Sequence, residues 1–257
     1  MSSKNLVLFL LFGCILCSTK VLGQLVNIES KRMQSDTVRF VLKSDALLNY
    51  TDNNGEYILQ IGWNIATQFK SKDFNQVYFL ISDYNLIRAK DNDFQNSWFL
   101  HGRFNQKIIP VLWYELFIQH QNNTQLTISR RSLVGTGVRY EFIKKNRTHA
   151  YLGNAYMYEI EDINILDETI YNHRNSTYLS VNQTLKRLDL SFTGTLYFQP
   201  LYKQIANHRI LCQLKAELPV STAISLSALY NYSYTTFSLD LPADSSSTMN
   251  FGITLNL

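Results

Sequence analysis

The chain has 257 residues, of which 46% are hydrophobic and 17% charged, and its formal net charge is +4. Lys4 and Lys20 lie in a predicted leader, and its removal by export lowers the net charge to +2. A charge this small argues against a nucleic acid or another polyanion as the partner. The length suits one large β domain.

The N-terminus has the pattern of a signal peptide over residues 1–23. An apolar run from Leu6 to Ile15 follows Lys4, and Gly23 supplies a small residue at the cleavage site before Gln24. This run is too short to cross a bilayer as a helix. We therefore expect an exported protein, with residues 24–36 forming a short periplasmic segment and residues 37–257 forming one domain.

Cysteine usage agrees with export and leaves one alternative for the leader. Cys14 and Cys17 lie in the leader, so Cys212 is the one cysteine of the exported chain and an internal disulfide is excluded. The residues before Cys14 loosely resemble a lipoprotein processing site, but that leader would have an unusually short apolar region. Cys212 falls on an apolar strand face, where we expect an inert small hydrophobic residue.

Apolar and polar residues alternate at a period of two in many segments, most clearly in Tyr57–Phe69 and Met249–Leu257. This period is that of a β-strand with one apolar and one polar face. Twelve strands are predicted, near residues 37–50, 55–69, 74–88, 94–106, 110–121, 126–143, 148–161, 176–186, 188–199, 207–218, 220–233 and 248–257. The predicted fold is all-β: a transmembrane antiparallel up-and-down β-barrel of about twelve strands.

The connections between these strands suggest which barrel end faces which side of the membrane. Every second connection is short, whereas Asp162–Asn175 and Tyr234–Ser247 are predicted to be long polar loops. Short periplasmic turns and longer external loops are typical of outer-membrane barrels.

Aromatic residues fall on the predicted outward face and many lie toward strand ends, as an interfacial aromatic girdle requires. The alternative is the general preference of β-sheets for aromatic residues. The outward set comprises Trp63, Phe69, Tyr78, Tyr84, Trp98, Phe104, Tyr114, Tyr140, Phe142, Tyr156, Tyr158, Phe192, Phe198, Tyr230, Tyr232 and Phe251.

The inward face of the four middle strands carries charge. The candidate lumen residues are His101, Arg103, Glu115, Arg131, Arg139, Glu141, Glu159 and Glu161. They form either a charged constriction or ligand site, or a salt-bridge network that fills a narrow barrel and fixes strand register. We favour the network, because balanced opposite charges more often pair with each other than line a path.

This region also carries a resemblance to a known family. The stretches concerned are Phe99–Asn105, Tyr114–Gln119, Arg130–Arg139 and Tyr156–Glu159. They resemble the bacterial family known as domain of unknown function 481, whose members are described as salt-induced outer membrane proteins. The resemblance implies an outer-membrane barrel and supplies no catalytic role. One departure is Leu257 at the C-terminus, where outer-membrane barrels commonly end in an aromatic residue that the assembly machinery recognises.

Other candidate sites have weaker patterns. The five histidines lack metal-ligand spacing, and we expect His120, His173 and His208 to be solvated at loops or strand ends. The acidic residues of one predicted loop lack the pattern of a calcium loop; they are Glu161, Asp162, Asp167 and Glu168. No nucleotide-binding loop, nucleophile elbow or zinc motif occurs, so no cofactor or metal is predicted.

The sequence therefore predicts a non-enzymatic barrel in the outer membrane of a Gram-negative bacterium, either structural or a narrow pore with a charged lumen. Its expected partners are the lipid bilayer and the barrel-assembly machinery. An outer-membrane lipid hydrolase or acyltransferase is one alternative, with Tyr171, His173 and Ser176 as loose candidates. A soluble periplasmic barrel that binds a small ligand is another, although its apolar face would have to point inward.

Overall fold

The computed structural model describes residues 38–53, 56–90, 92–123, 128–163, 168–221, 224–236 and 244–256. Twelve strands lie within these residues. They are β1 (Phe40–Asn53), β2 (Glu56–Lys70), β3 (Gln76–Ala89), β4 (Asn92–Ile109), β5 (Leu112–Asn123), β6 (Ile128–Lys145), β7 (Thr148–Ile163), β8 (Glu168–Leu185), β9 (Leu190–Pro200), β10 (His208–Pro219), β11 (Ile224–Thr235) and β12 (Asp244–Asn256).

Each strand pairs antiparallel with its neighbours in the chain, and β1 pairs with β12 to close the barrel. This is the up-and-down order that the alternation predicted, and the predicted fold class is confirmed. The barrel supplies a ladder partner on both sides of nearly every strand, which removes most of the unpaired edge that an open sheet would present.

The closing seam is the exception to this continuous pairing. β1 follows β2 along its whole length, from Phe40 opposite Phe69 to Asn53 opposite Glu56. Between β1 and β12 the described ladder holds only two positions, Lys43 with Asn256 and Ser44 with Leu255. So short a ladder marks the seam as the weakest part of the described wall.

The wall is apolar outside and polar inside, the reverse of a soluble protein. Large aliphatic residues point outward and remain exposed, as Leu80, Leu100 and Leu196 illustrate. Charged and amide side chains are buried within the barrel. An exposed apolar band around the whole wall would be unfavourable in water, whereas hydrocarbon accommodates it. The barrel is therefore built to span a membrane.

Two rows of aromatic side chains border this apolar band. On β2, β3, β4 and β9 two outward aromatic residues lie six positions apart, which is about 20 Å along a strand. Neighbouring strands bring these rings into contact: Trp63 lies 5.8 Å from Tyr84, and Tyr78 lies 5.2 Å from Phe104 between ring centroids. Such rows at two levels are the aromatic girdles of a membrane barrel.

The β2–β3 connection shows how one short turn is fixed. Asp73 accepts hydrogen bonds from the hydroxyl of Ser71 and from the backbone and side-chain nitrogens of Asn75. These bonds favour the carboxylate and lower the pKa of Asp73 below its ordinary value. Phe74 completes the turn with a positive φ of 58°.

The prediction of a long loop over Asp162–Asn175 is wrong. β7 continues to Ile163 and β8 begins at Glu168, so the connection is residues 164–167. The β7–β8 ladder continues beyond the apolar band. Because polar side chains suit both faces of the strands there, the sequence of this segment resembles that of a loop. The loop predicted over Tyr234–Ser247 is also shorter, because β11 ends at Thr235 and β12 begins at Asp244.

The predicted signal peptide, residues 1–23, and the predicted periplasmic segment, residues 24–36, lie outside the described residues, as does Leu257. Among the described residues, no helix is long and apolar enough to cross a bilayer.

The membrane-facing wall predicts different costs for a charge at two exposed leucines. Leu196 lies between Phe192 and Phe198 on β9, whereas Leu188 lies in the β8–β9 turn. We expect Leu196→Arg to lower the free energy of unfolding in lipid vesicles by about 2–4 kcal/mol, and Leu188→Arg by at most about 1 kcal/mol. Urea titration of both variants measures the difference, and equal unfolding midpoints would contradict the membrane orientation.

Candidate functional site

The candidate site is the lumen of the barrel, where β4 to β7 direct charged side chains inward. All eight predicted lumen residues lie on this inward face and are buried, His101 and Glu159 completely. Alternation explains this placement. Each of the eight residues lies an even number of positions from buried apolar or small residues of its own strand, so their side chains share one face. The structure joins some of the eight directly and separates others.

Glu159 on β7 is the centre of the largest cluster. Its carboxylate accepts hydrogen bonds from Arg131 on β6, from Arg174 Nε on β8 at 2.9 Å, and from Arg209 Nη1 on β10 at 3.1 Å. Three guanidinium groups thus surround one carboxylate that has no exposure to solvent. Removing such a charge from water is costly unless several charged donors replace the water.

Arg209 and Arg174 extend this cluster. Arg209 Nη2 donates to Glu161 at 3.0 Å, so one guanidinium ties two carboxylates of β7 to β10 across the lumen. Arg174 donates to the carbonyl oxygen of Gln199 at 3.1 Å and to the side-chain oxygen of Asn207 at 3.2 Å. The contacts of Arg209 bridge strands that are not neighbours in the wall.

Sequence reasoning missed both Arg174 and Arg209. Arg174 lies in the segment predicted to be a loop, although it is two positions from Ser176 and four from Tyr178, which both point inward. Arg209 precedes Ile210, which lies on the same strand face as the outward Cys212, so alternation could have assigned Arg209 to the lumen. Cys212 is on the outward parity, as expected, and is partly buried.

A second cluster joins β4, β5 and β8. Arg103 Nη1 donates to Glu115 Oε2 at 3.4 Å, and the hydroxyl of Tyr178 donates to the same oxygen at 3.0 Å. The guanidinium of Arg103 also lies 4.9 Å from the ring centroid of Phe117, a cation–π contact. Because Tyr178 reaches from β8 to β5, this cluster fills the lumen with side chains.

The other predicted lumen residues lie around these two clusters. His101 is stacked 6.0 Å from Phe99 and 6.0 Å from Phe117 between ring centroids. Arg139 lies 3.7 Å from the ring centroid of Tyr151. The carboxylate of Glu141 forms a hydrogen bond with His149 Nδ1 at 2.8 Å. The eight residues therefore form several local groups rather than one continuous chain.

Two glycines make room for the aromatic rings that fill the lumen. A Cβ atom at Gly153 would lie 2.0 Å from Tyr178 Cε1, and one at Gly135 would lie 2.2 Å from Phe117 Cζ. Both distances are far below van der Waals contact. The wall on β6 and β7 thus provides hollows into which Phe117 and Tyr178 fit.

A small cavity of about 40 Å³ remains among these side chains, with room for only a few waters. Its lining residues are Arg103, Phe117, Gln119, Arg131, Leu133, Met157, Ser176, Tyr197, Gln199 and Leu211. Side chains of the barrel fill the lumen around this cavity. Hydrophobic clusters, such as the one that contains Phe117 and Met157, lie beside the two charge clusters.

The structure does not bring the loose hydrolase candidates together. Tyr171 and His173 point outward from β8, where His173 hydrogen-bonds the hydroxyl of Tyr156. Ser176 points inward, is buried, and accepts a hydrogen bond from Gln199 Nε2 at 3.1 Å. A nucleophile and its base must be within hydrogen-bond reach, which opposite faces of one strand do not allow.

The three histidines expected to be solvated also contact aromatic rings, and His173 remains exposed. His120 lies 4.8 Å from Trp98, His173 lies 5.1 Å from Tyr158, and His208 lies 5.3 Å from Phe198, all between centroids. They contribute to the aromatic outer surface.

The acidic loop is not formed as predicted. Glu161 points into the lumen, whereas Asp162 pairs with Arg130 Nε at 2.8 Å on the other face. Glu168 lies in β8, and Asp167 lies outside the described residues. Within the ranges that the structure describes, no cluster of three or more His, Cys, Asp or Glu could hold a metal ion.

Comparison with known proteins gives one family and several structural likenesses. The family model described as "Protein of unknown function, DUF481" matches residues 26–255. No curated protein matches the chain.

Solved barrels resemble the structure weakly and at low sequence identity. A bacterial polysaccharide outer membrane secretin has 8% identity and a TM-score of 0.48, covering 85% of this chain and 97% of its own. The NanC porin also has 8% identity and a TM-score of 0.48, and the match covers 86% of this chain and 100% of the porin chain. The translocator domain of the autotransporter NalP from Neisseria meningitidis has 13% identity and a TM-score of 0.47. The match covers 89% of this chain and 91% of the translocator domain.

The fit between Gly153 and Tyr178 predicts that a single methyl group disturbs the lumen. Gly153→Ala must displace the Tyr178 ring and weaken its bond to Glu115, so we expect the free energy of unfolding to fall by about 1–3 kcal/mol. Gly102→Ala is the control, because its Cβ would meet Ile118 at an ordinary 3.5 Å. Denaturant titration in vesicles compares the two variants. Equal losses would show that the Gly153 hollow has no packing role.

Proposed function

The chain belongs to the DUF481 family of proteins of unknown function, and we propose that it is a non-enzymatic barrel of the outer membrane of a Gram-negative bacterium. In this proposal the charge clusters hold the lumen nearly closed. The protein then serves as a structural barrel or as a narrow pore that opens when these contacts rearrange.

The observation that carries this proposal is the set of bonds across the lumen. Arg209 connects β10 to Glu159 and Glu161 of β7, and Tyr178 connects β8 to Glu115 of β5. An open channel would leave charged side chains facing water, whereas these charges are buried and paired. A barrel of about eight strands is filled by its side chains and one of about sixteen or more leaves a channel, so twelve strands allow either state.

The outward surface supports the membrane part of the proposal. An apolar band with aromatic residues at two levels suits a bilayer, and spanning strands rather than helices are characteristic of barrels of the outer membrane. We propose the bilayer and the barrel-assembly machinery as the partners. The eight lumen residues are proposed to set stability and, when the lumen opens, solute selectivity.

The absence of enzymatic activity is part of the proposal and has one supporting observation. Tyr171 and His173 on the outward face of β8 are separated from Ser176 on its inward face. We propose no catalytic residue among the lumen groups, since the carboxylates of the two clusters are occupied by guanidinium groups that neutralise them.

Planar-bilayer recording tests whether the lumen is closed by these contacts. We expect the wild-type protein to show a small conductance or none. The triple variant Arg103→Ala, Glu115→Ala, Tyr178→Ala removes one cation, one anion and one ring, and its conductance should be several times larger at the same salt concentration. The heat-dependent shift in gel mobility confirms that the variant is folded.

The control for this experiment removes an exposed ion pair. Arg88 and Asp93 pair at 2.5 Å away from the clusters, and Arg88→Ala with Asp93→Ala should conduct like the wild type. A wild-type conductance as large as that of the triple variant would overturn the closed-lumen proposal.

A further inference from the structure

The lumen clusters have unequal numbers of cations and anions, and we propose that a small monovalent anion such as chloride binds in the cavity beside Arg131. This inference deepens the proposed function and rests on it, because it concerns the same lumen and names what the clusters bind. Its support is the charge balance, the hydrogen bonds of Arg131 and the lining of the cavity.

The charge balance comes from the two clusters that meet at the cavity. The guanidinium groups belong to Arg103, Arg131, Arg174 and Arg209, and the carboxylates to Glu115, Glu159 and Glu161. Among the described members of the two clusters there is thus one more cation than anion. A buried excess charge is unfavourable unless a counterion or water compensates it, and a small anion supplies the missing charge directly.

Arg131 provides a donor for this anion. Its exposed fraction is 2%, and its Nη2 donates to Glu159. Its Nε is also buried and has no hydrogen-bond partner among the residues that the structure describes. A buried guanidinium N–H without an acceptor carries the desolvation penalty of a charged donor, and Arg131 borders the cavity, so its positive charge would favour an anion there.

The cavity has the lining of an anion site. Arg103 and Arg131 both border it, and its described lining contains no carboxylate. The hydroxyl of Ser176 accepts a hydrogen bond from Gln199, which leaves its own proton available to an anion. Leu133, Met157 and Leu211 form apolar walls that limit hydration. The volume of about 40 Å³ is sufficient for a halide ion.

Chloride-dependent unfolding tests the proposal on the whole barrel in detergent. Potassium chloride replaces potassium gluconate at constant ionic strength, so that only the identity of the anion changes. An anion that binds only the folded state raises the folded-to-unfolded ratio by the factor 1 + [L]/Kd. We expect this ratio to rise about fivefold or more in wild type between millimolar and tenth-molar chloride, and the fitted curve to define a single site.

Two variants one residue apart separate the lumen from the surface. Arg131→Gln removes the excess cation and should abolish the chloride dependence. Arg130→Gln removes the same charge from the exposed pair with Asp162, and its chloride dependence should match that of wild type. A dependence that persists in Arg131→Gln, or that is lost equally in both variants, would overturn the proposal.

A measurement on the wild-type barrel keeps the proposal testable if Arg131→Gln fails to fold. Crystals soaked in bromide should show an anomalous peak within hydrogen-bond distance of the Arg131 guanidinium. A cavity that contains only water would overturn the anion site. Conductance reports separately on the closed lumen, so a closed barrel without bromide would refute this inference and leave the proposed function standing.

Discussion

The buried carboxylate of Glu159 is the interaction on which the lumen depends. Its three arginine partners come from β6, β8 and β10, so one side chain links three other strands of the wall to its own strand β7. The outer apolar surface of a membrane barrel contacts hydrocarbon and does not pack against the side chains of the interior. Paired charges, aromatic rings and the glycine hollows must therefore fix the interior, and they do so by filling it.

The outer wall meets a different requirement from the lumen. Its backbone must be fully hydrogen-bonded, because hydrocarbon offers no other hydrogen-bond partner. Long ladders satisfy this requirement from β1 through β12, while the short β1–β12 ladder is the least complete. Leu48 and Phe251, which lie on the two strands of the seam, are exposed to 76% and 69%, more than most outward residues. The strongest and weakest parts of the barrel are thus the middle strands with their ionic lumen and the seam between the first and last strands.

Much of the architecture could be predicted, because alternation at a period of two determines both a strand and its faces. Alternation alone predicts the inward positions of His101, Arg103 and Glu159. The prediction from alternation failed where β8 continues through polar residues. This segment was predicted to be a loop, so Arg174 was not assigned to the lumen. Alternation also could not show that Arg209 reaches Glu159, or that the described β1–β12 ladder has only two positions, because contacts across the lumen and at the seam depend on barrel closure rather than on local pattern.

The most direct measurement of the central claim is the free energy of unfolding of Glu159→Gln in lipid vesicles, compared with Glu168→Gln at an exposed position. The neutral amide at the first position would leave three buried guanidinium groups without their shared carboxylate. We therefore expect Glu159→Gln to lower the free energy of unfolding by about 3–5 kcal/mol, with little change for Glu168→Gln. Equal stability of the two variants would contradict the claim that the structure of the lumen depends on the Glu159 carboxylate.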